Sequence, residues 1–239
     1  GYRAMFEQVD AAHNIAIGTC ALANNTNIGN QTAVGTCALR QDTSGHSNTA
    51  YGYFSACANT TGCFNTFLGR ASGCDTTTGI CNTGVGYLGG RITSTGSNNA
   101  SFGYDSQPSA FGADNQVTLG NSNSNNLRCA DTSISTLSDL RDKTNVEDIP
   151  HGLDYINALR PVKFDWNTRD GSRKGKKDYG FIAQELDKVE EKFGNKEYTR
   201  LVSKENPEKW EADPMKTYPI LIKAIKELKA EIDELKKGA

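Results

Sequence analysis

The chain has 239 residues with 26 basic and 28 acidic side chains, a net charge of −2, which suits one or two domains and leaves no basic excess for binding nucleic acid or an anionic membrane surface. No apolar run approaches the roughly 20 residues of a membrane span, and Gly1 to Asp10 lacks a signal-peptide core. The expectation is a soluble protein without nucleic-acid or membrane partners, whose start looks like a cut from something longer. The average also hides two different polymers that meet near Leu137: residues 1–137 hold no lysine, five arginines, seven acids and all seven cysteines, whereas residues 138–239 hold 21 basic and 21 acidic residues.

Seven glycines recur every 17 residues, at Gly18, Gly35, Gly52, Gly69, Gly86, Gly103 and Gly120. An amide lies four residues before each (Asn14, Gln31, Asn48, Asn65, Asn82, Asn99, Gln116), and an apolar residue lies immediately before (Ile17, Val34, Tyr51, Leu68, Val85, Phe102, Leu119). A fixed period of this length means stacked coils. Alternating β-branched and aromatic residues, as in Asn48-Thr49-Ala50-Tyr51, predict one short strand per coil, and glycine recurs too often for a helix interior. Thr60-Thr61-Gly62, Thr77-Thr78-Gly79 and Ser94-Thr95-Gly96 predict a corner whose glycine supplies a positive φ. Each unit thus reads as strand, corner, second extended piece, corner. The amides are expected to form a ladder, each side chain bonding to the copy above.

A coil this poor in apolar residues cannot by itself offset a backbone ordering cost of roughly 1–2 kcal/mol per residue, so a thin, elongated homotrimer is expected. Tyr53, Tyr87 and Tyr104, each one residue past a glycine, read as β-surface residues that also suit stacking on sugar rings. Cys20 and Cys37, and likewise Cys57 and Cys74, stand one coil apart at about 4.8 Å. That spacing admits either a disulfide or a ladder of thiols packed as small hydrophobes. Cys63 and Cys81 miss the register by one residue. No CxxC pair occurs, so neither zinc nor any other metal or cofactor is expected.

The Asn-Thr-Ala-x-Gly-x-x-Ala unit resembles the head repeats of trimeric autotransporter adhesins and the repeats of many viral tail-fibre proteins. The resemblance covers residues 14 to about 120, with Phe67, Gly84 and Ser101 standing where alanine is usual. It implies a trimeric β-roll or β-helix, and leaves open whether one chain or three build each coil.

After Gly120 the period decays, and Ser138-Asp139-Leu140-Arg141-Asp142-Lys143-Thr144-Asn145-Val146 follows. Taken alone, Ser138-Asp139 is a helix cap with a solvated first turn. The string is also similar to the Ser-Asp-x-Arg-x-Lys-x-Asn opening of the endosialidase-type intramolecular chaperone domain of phage tailspikes and tail fibres. Leu159-Arg160-Pro161-Val162-Lys163-Phe164 and Gly180-Phe181-Ile182-Ala183-Gln184-Glu185 resemble its later segments. The likeness spans 138–239 and implies two domains, a repeat shaft over 1–137 and a chaperone over 138–239. It implies a chaperone that drives trimerisation of a phage tail fibre in the virion, a fibre that meets a host surface receptor, a glycan being one candidate. By the same resemblance the chaperone releases itself by cutting Leu137–Ser138, with Ser138 as nucleophile and Lys143 as base. Asp139, Arg141 and Asn145 match the motif as loop supports.

The implied chemistry is sound, because Oγ of Ser138 attacking the carbonyl of Leu137 closes a five-membered ring and makes the step intramolecular. A lysine serves as base once its pKa falls well below about 10.4, and desolvation with a nearby cation such as Arg141 would bring that about. Five residues along an α-helix turn about 500°, so Ser138 and Lys143 cannot meet on one regular helix. Either the segment is a turn or the lysine comes from a neighbouring chain.

Farther on, residues 163–166 and 178–183 read as strands joined through an Asp170-Gly171 turn. Their basic loop, with Arg169, Arg173, Lys174, Lys176 and Lys177, reads as a solvated tip. Helices are expected at 151–159 and 183–193, the second with Leu186, Val189 and Phe193 on one face. Tyr218, Leu221, Ile225, Leu228, Ile232 and Leu235, spaced 3-4-3-4-3, predict a short coiled coil. The expected fold is a β-solenoid or β-roll trimeric shaft followed by an α+β chaperone domain with a C-terminal coiled-coil helix. The rival reading is a surface adhesin whose clamp is retained without cleavage.

Overall fold

The computed structural model describes residues 1–8, 12–26, 29–124, 126–130 and 134–238. They form two compact units, Gly1–Asn125 and Asn126–Ala239. In the first unit, seven strands of three residues each stack in chain order: β1 (Ile15–Ile17), β2 (Thr32–Val34), β3 (Thr49–Tyr51), β4 (Thr66–Leu68), β5 (Thr83–Val85), β6 (Ala100–Phe102) and β7 (Val117–Leu119). All pairs are parallel and in register at one period, so Ala33 faces Ala50 and Ala50 faces Phe67. The shaft is a β-solenoid in which each coil is closed by a single chain.

The middle residue of each strand points inward. Ala33, Ala50 and Phe67 meet Leu22, Leu39 and Ala56 from the opposite wall in one buried column. Phe67, standing where neighbouring coils have alanine, is accommodated by two glycines. A Cβ on Gly73 would lie 2.4 Å from its ring, and one on Gly84 would lie 2.8 Å from it. The departures from alanine at 67 and 84 are therefore one coupled exchange of volume.

The opposite wall differs from expectation. It carries no second strand among the described residues, but a run of turns in which the second and fourth residues after a repeat glycine are left-handed, as at Cys37 (φ 59°) and Leu39 (φ 48°). The corner glycines Gly62, Gly79 and Gly96 also depart from the sequence reading, for none has a positive φ. Close approach demands glycine there instead: a Cβ on Gly62 would lie 2.4 Å from the carbonyl oxygen of Gly79, and one on Gly79 would lie 2.2 Å from that of Gly96. The left-handed corner falls on the residue before each amide, such as Phe64 (φ 59°) and Cys81 (φ 58°). Backbone bonds to the coil below hold these two, Phe64 N–H to His46 at 3.1 Å and Cys81 N–H to Cys63 at 3.0 Å.

The amide ladder also runs differently. From Asn14 to Asn99, the side-chain oxygen accepts from the backbone N–H of the next amide, as from Asn65 to Asn48 (2.9 Å) and from Asn82 to Asn65 (2.9 Å). From Gln31 to Asn99, the NH2 donates to the corner carbonyl of the next coil, as from Asn48 to Gly62 (2.7 Å) and from Asn65 to Gly79 (2.8 Å). These are side-chain-to-backbone bonds because a buried backbone group without a partner is more costly than an amide that lacks a copy of itself; the expected amide-to-amide bond is present between Asn99 and Asn82, where the Asn99 NH2 also donates to Asn82 Oδ1 at 3.1 Å. The register also extends one unit before Gly18, back to Gly1. Cys20 N–H donates to Tyr2 O at 2.8 Å, and Arg3 and Met5 are left-handed like Cys20 and Leu22.

All seven cysteines are free thiols. Cys57 Sγ lies 3.6 Å from the carbonyl of Cys74, and burial pushes the Cys57 thiol up and that of Cys74 up to about 12. The column is the thiol ladder of the two readings.

The second unit contains α1 (Leu153–Ala158), β8 (Val162–Asp165), β9 (Lys177–Gly180), α2 (Ala183–Phe193), α3 (Lys196–Thr199), β10 (Val202–Ser203), β11 (Glu211–Ala212) and α4 (Tyr218–Lys237). The strand pairs β8–β9 and β10–β11 are antiparallel. Tyr155, Leu186, Leu201, Val202 and Ile220 form its core, with Val189 and Phe193 packed against them, so the predicted face of α2 is the one that is buried. Glu190 is fully buried and accepts from Leu201 N–H at 2.7 Å and Thr199 Oγ at 2.5 Å, tying α2 to the chain beyond α3. At the hairpin tip, Arg173 lies over Trp166 and pairs with Asp178. On α4, Ile220 and Ala224 are buried, whereas the heptad residues Leu221, Ile225, Leu228, Ile232 and Leu235 are exposed. Among the described residues no helix is long and apolar enough to cross a membrane.

Candidate functional site

The segment that opens with Ser138 is built around a 3-10 turn at Leu140–Asp142. Asp139 caps it, accepting the Arg141 N–H at 2.9 Å on Oδ1. The same carboxylate accepts Arg141 Nε at 3.0 Å and Nη2 at 2.7 Å, so Asp139 holds Arg141 from both main chain and side chain. These bonds hold the carboxyl of Asp139 below the usual range and raise Arg141 in turn. Lys143 ends the turn in an extended conformation, its N–H bonded to Leu140 O at 3.1 Å.

That reversal brings two distant side chains together. Lys143 Nζ donates to Ser138 Oγ at 2.7 Å and to the Ser138 carbonyl at 3.1 Å. Of the two alternatives that helix geometry left open, the turn within one chain is the one observed. Asn145 follows with a left-handed φ of 52°. It marks the exit of the loop rather than a contact with the Ser138–Lys143 pair.

Two features separate this geometry from the sequence expectation. Arg141 is paired with Asp139 at 2.7 Å, where it was expected to act on Lys143. Ser138 and Lys143 are also exposed, which means that this chain alone supplies no desolvation. Four aliphatic residues of the same stretch, Ile134 (87% exposed), Leu137 (84%), Leu140 (72%) and Val146 (66%), are exposed as well. Sequence reasoning missed that exposure, although four aliphatic residues interleaved with charges at 134–146 were its signal.

The tyrosines singled out in the shaft are exposed, but Tyr87 and Tyr104 stack on each other (centroids 5.5 Å apart) and Arg70 lies over both Tyr53 and Tyr87. Ring faces engaged in this way are poor platforms for sugars.

Residues 138–195 match the family model described as chaperone of endosialidase, and the match starts at Ser138 itself. The segment is a chaperone-of-endosialidase domain. This chaperone domain, of a self-cleaving peptidase type, comes after a β-solenoid of 17-residue period in the same chain, and its matched stretch includes the whole turn, the β8–β9 hairpin and α2. The heptad helix α4 lies beyond it. Comparison with curated proteins and with solved structures gave no match.

Proposed function

We propose that this chain is the C-terminal region of a phage tail fibre, in which the chaperone domain assembles three chains and then releases itself by cutting Leu137–Ser138. The fibre belongs to the virion and serves host attachment. The observation that carries the reading is the 2.7 Å contact between Lys143 Nζ and Ser138 Oγ at the first residue of the domain.

In the proposed reaction Lys143, as the neutral amine, takes the Oγ proton of Ser138 while Oγ adds to the carbonyl carbon of Leu137. The five-membered intermediate collapses by breaking the C–N bond, and the proton passes to the Ser138 nitrogen. An ester of Leu137 on Ser138 remains, and water hydrolyses it to the Leu137 carboxylate and a chain that begins at Ser138. An ammonium on Lys143 can only donate to Oγ, so loss of that proton must come first. Burial favours the neutral amine. Neighbouring chains packed on the exposed Leu137 and Leu140 would supply burial, and cutting would then wait for assembly.

Intact-mass measurement tests the reaction. The expected products are fragments 1–137 and 138–239, the second with Ser138 as its N-terminal residue, and Ser138→Ala should leave one full-length species. Full-length wild-type protein that stays uncut as a sized trimer would favour the retained clamp instead.

A further inference from the structure

We infer that a groove on the turn wall of the shaft, between Arg3 and Arg40, binds saccharides that carry carboxylates, such as those built on uronic or sialic acids. The inference deepens the attachment reading above by naming a receptor class and its site. The groove encloses about 470 Å³ and is lined from successive coils. The repeat explains its shape. Two residues after the repeat glycine stand Arg3 and Cys20 in the first two coils, and five after it stand Phe6, Ala23 and Arg40 in the first three. Small side chains in the second coil thus leave a depression between larger ones in the first and third.

Charge decides what the groove takes. Arg40 is half-buried, yet among the described residues no carboxylate lies within ion-pair distance of its guanidinium and no acceptor bonds to it. Arg3 has no carboxylate partner either, and the Phe6 ring 4.3 Å away holds it in place. Nearby acids leave both arginines free: Asp42 is buried against Asn25 and Asn59, and Glu7 is not part of the lining. A charge withdrawn from water without a partner is costly, so an anion is the complement of this groove. The two arginines start two coils apart, about 10 Å at about 4.8 Å per coil. Their planar forks can therefore close on one carboxylate or on two from successive sugars. Asn24 and Gln41 line the same groove, and carboxamides both donate to and accept from hydroxyls. A bare phosphate would leave those amides idle, whereas a hydroxyl-rich acid engages both kinds of group. Because Arg3 covers the Phe6 face, recognition rests on charge and hydrogen bonds rather than on ring stacking.

The test applies the full chain to an array of sialic- and uronic-acid oligosaccharides, printed beside their neutral counterparts and beside phosphorylated sugars. Signal should be confined to the carboxylated members, decline as NaCl rises, and fall at least tenfold in Arg40→Gln but not in Arg70→Gln. Should Arg40→Gln lower the melting temperature, Arg3→Gln, at an exposed residue, reads the same loss. Equal signal from neutral or phosphorylated members overturns the ligand class. Carboxylated-glycan binding that survives both changes overturns this groove while leaving attachment through the shaft intact. Silence across the array overturns the inference, and intact mass of the same sample reports cutting at Leu137–Ser138 separately. An Arg40→Gln chain that loses its trimer would show the groove covered by another copy, which overturns the inference as well.

Discussion

Phe67 shows how one side chain sets the limits on its neighbours. Leu22, Leu39 and Ala56 occupy the left-handed position that Gly73 fills in the fourth coil, so a side chain is tolerated there, and at Gly73 a Cβ would first meet the Phe67 ring. Gly73→Ala is therefore expected to destabilise the shaft by about 1–3 kcal/mol through overpacking. The same change on a Phe67→Ala background should lose most of that penalty. A double-mutant cycle by denaturant unfolding checks the coupling. Asp42 makes a second residue-scale prediction. It is fully buried between coils, accepts from Asn25 at 3.1 Å and Asn59 at 2.5 Å, and burial pushes it up to about 6 from 3.8. A carboxyl raised on folding stabilises the native state below its unfolded pKa and loses that contribution as pH rises through the folded one. The melting temperature of the shaft should fall between about pH 4 and pH 6, and Asp42→Asn should flatten the profile.

The amide ladder and α2 are the elements whose loss would be most informative. Asn65→Ala would leave the Gly79 carbonyl and the Asn82 N–H buried without their partner, at about 1–3 kcal/mol for each. Its melting transition should drop more than that of an exposed change such as Thr66→Ala, because only the former uncouples successive coils. In the chaperone unit, Leu186→Ala removes a core side chain from α2 and is expected to cost about 2–5 kcal/mol. With two separately cored units, calorimetry should show the C-terminal transition falling while the shaft transition stays.

For the whole molecule, the exposed pair at Ser138 and Lys143 and the exposed heptad face of α4 lead to a joint expectation. If neighbouring chains supply the desolvation that one chain lacks, cutting requires association. Charging the heptad face with Ile225→Lys and Leu228→Lys should yield a monomer whose cleavage rate falls at least tenfold, read by intact mass over time. A monomer that cuts at the wild-type rate would show that Ser138 and Lys143 suffice alone. Lys143→Met should abolish cutting without altering the oligomer size, which separates chemistry from assembly.

The sequence by itself determined the period, the strand in each coil, the composition break and the motif that opens the chaperone domain. These are local or repeated signals, each legible from a few residues such as Asn65 and Gly69. The face of α2 was legible for the same reason, since Leu186, Val189 and Phe193 need only helical geometry to align. The tertiary structure decided the rest. The left-handed positions, the glycines required by close approach at Gly62 and Gly79, and the bargain between Phe67, Gly73 and Gly84 depend on what the next coil places within a few ångströms. The meeting of Ser138 with Lys143 depends on the torsions of a five-residue turn, which Asp139 stabilises by capturing Arg141. Spacing alone cannot reveal such contacts, because they arise only when the chain closes on itself.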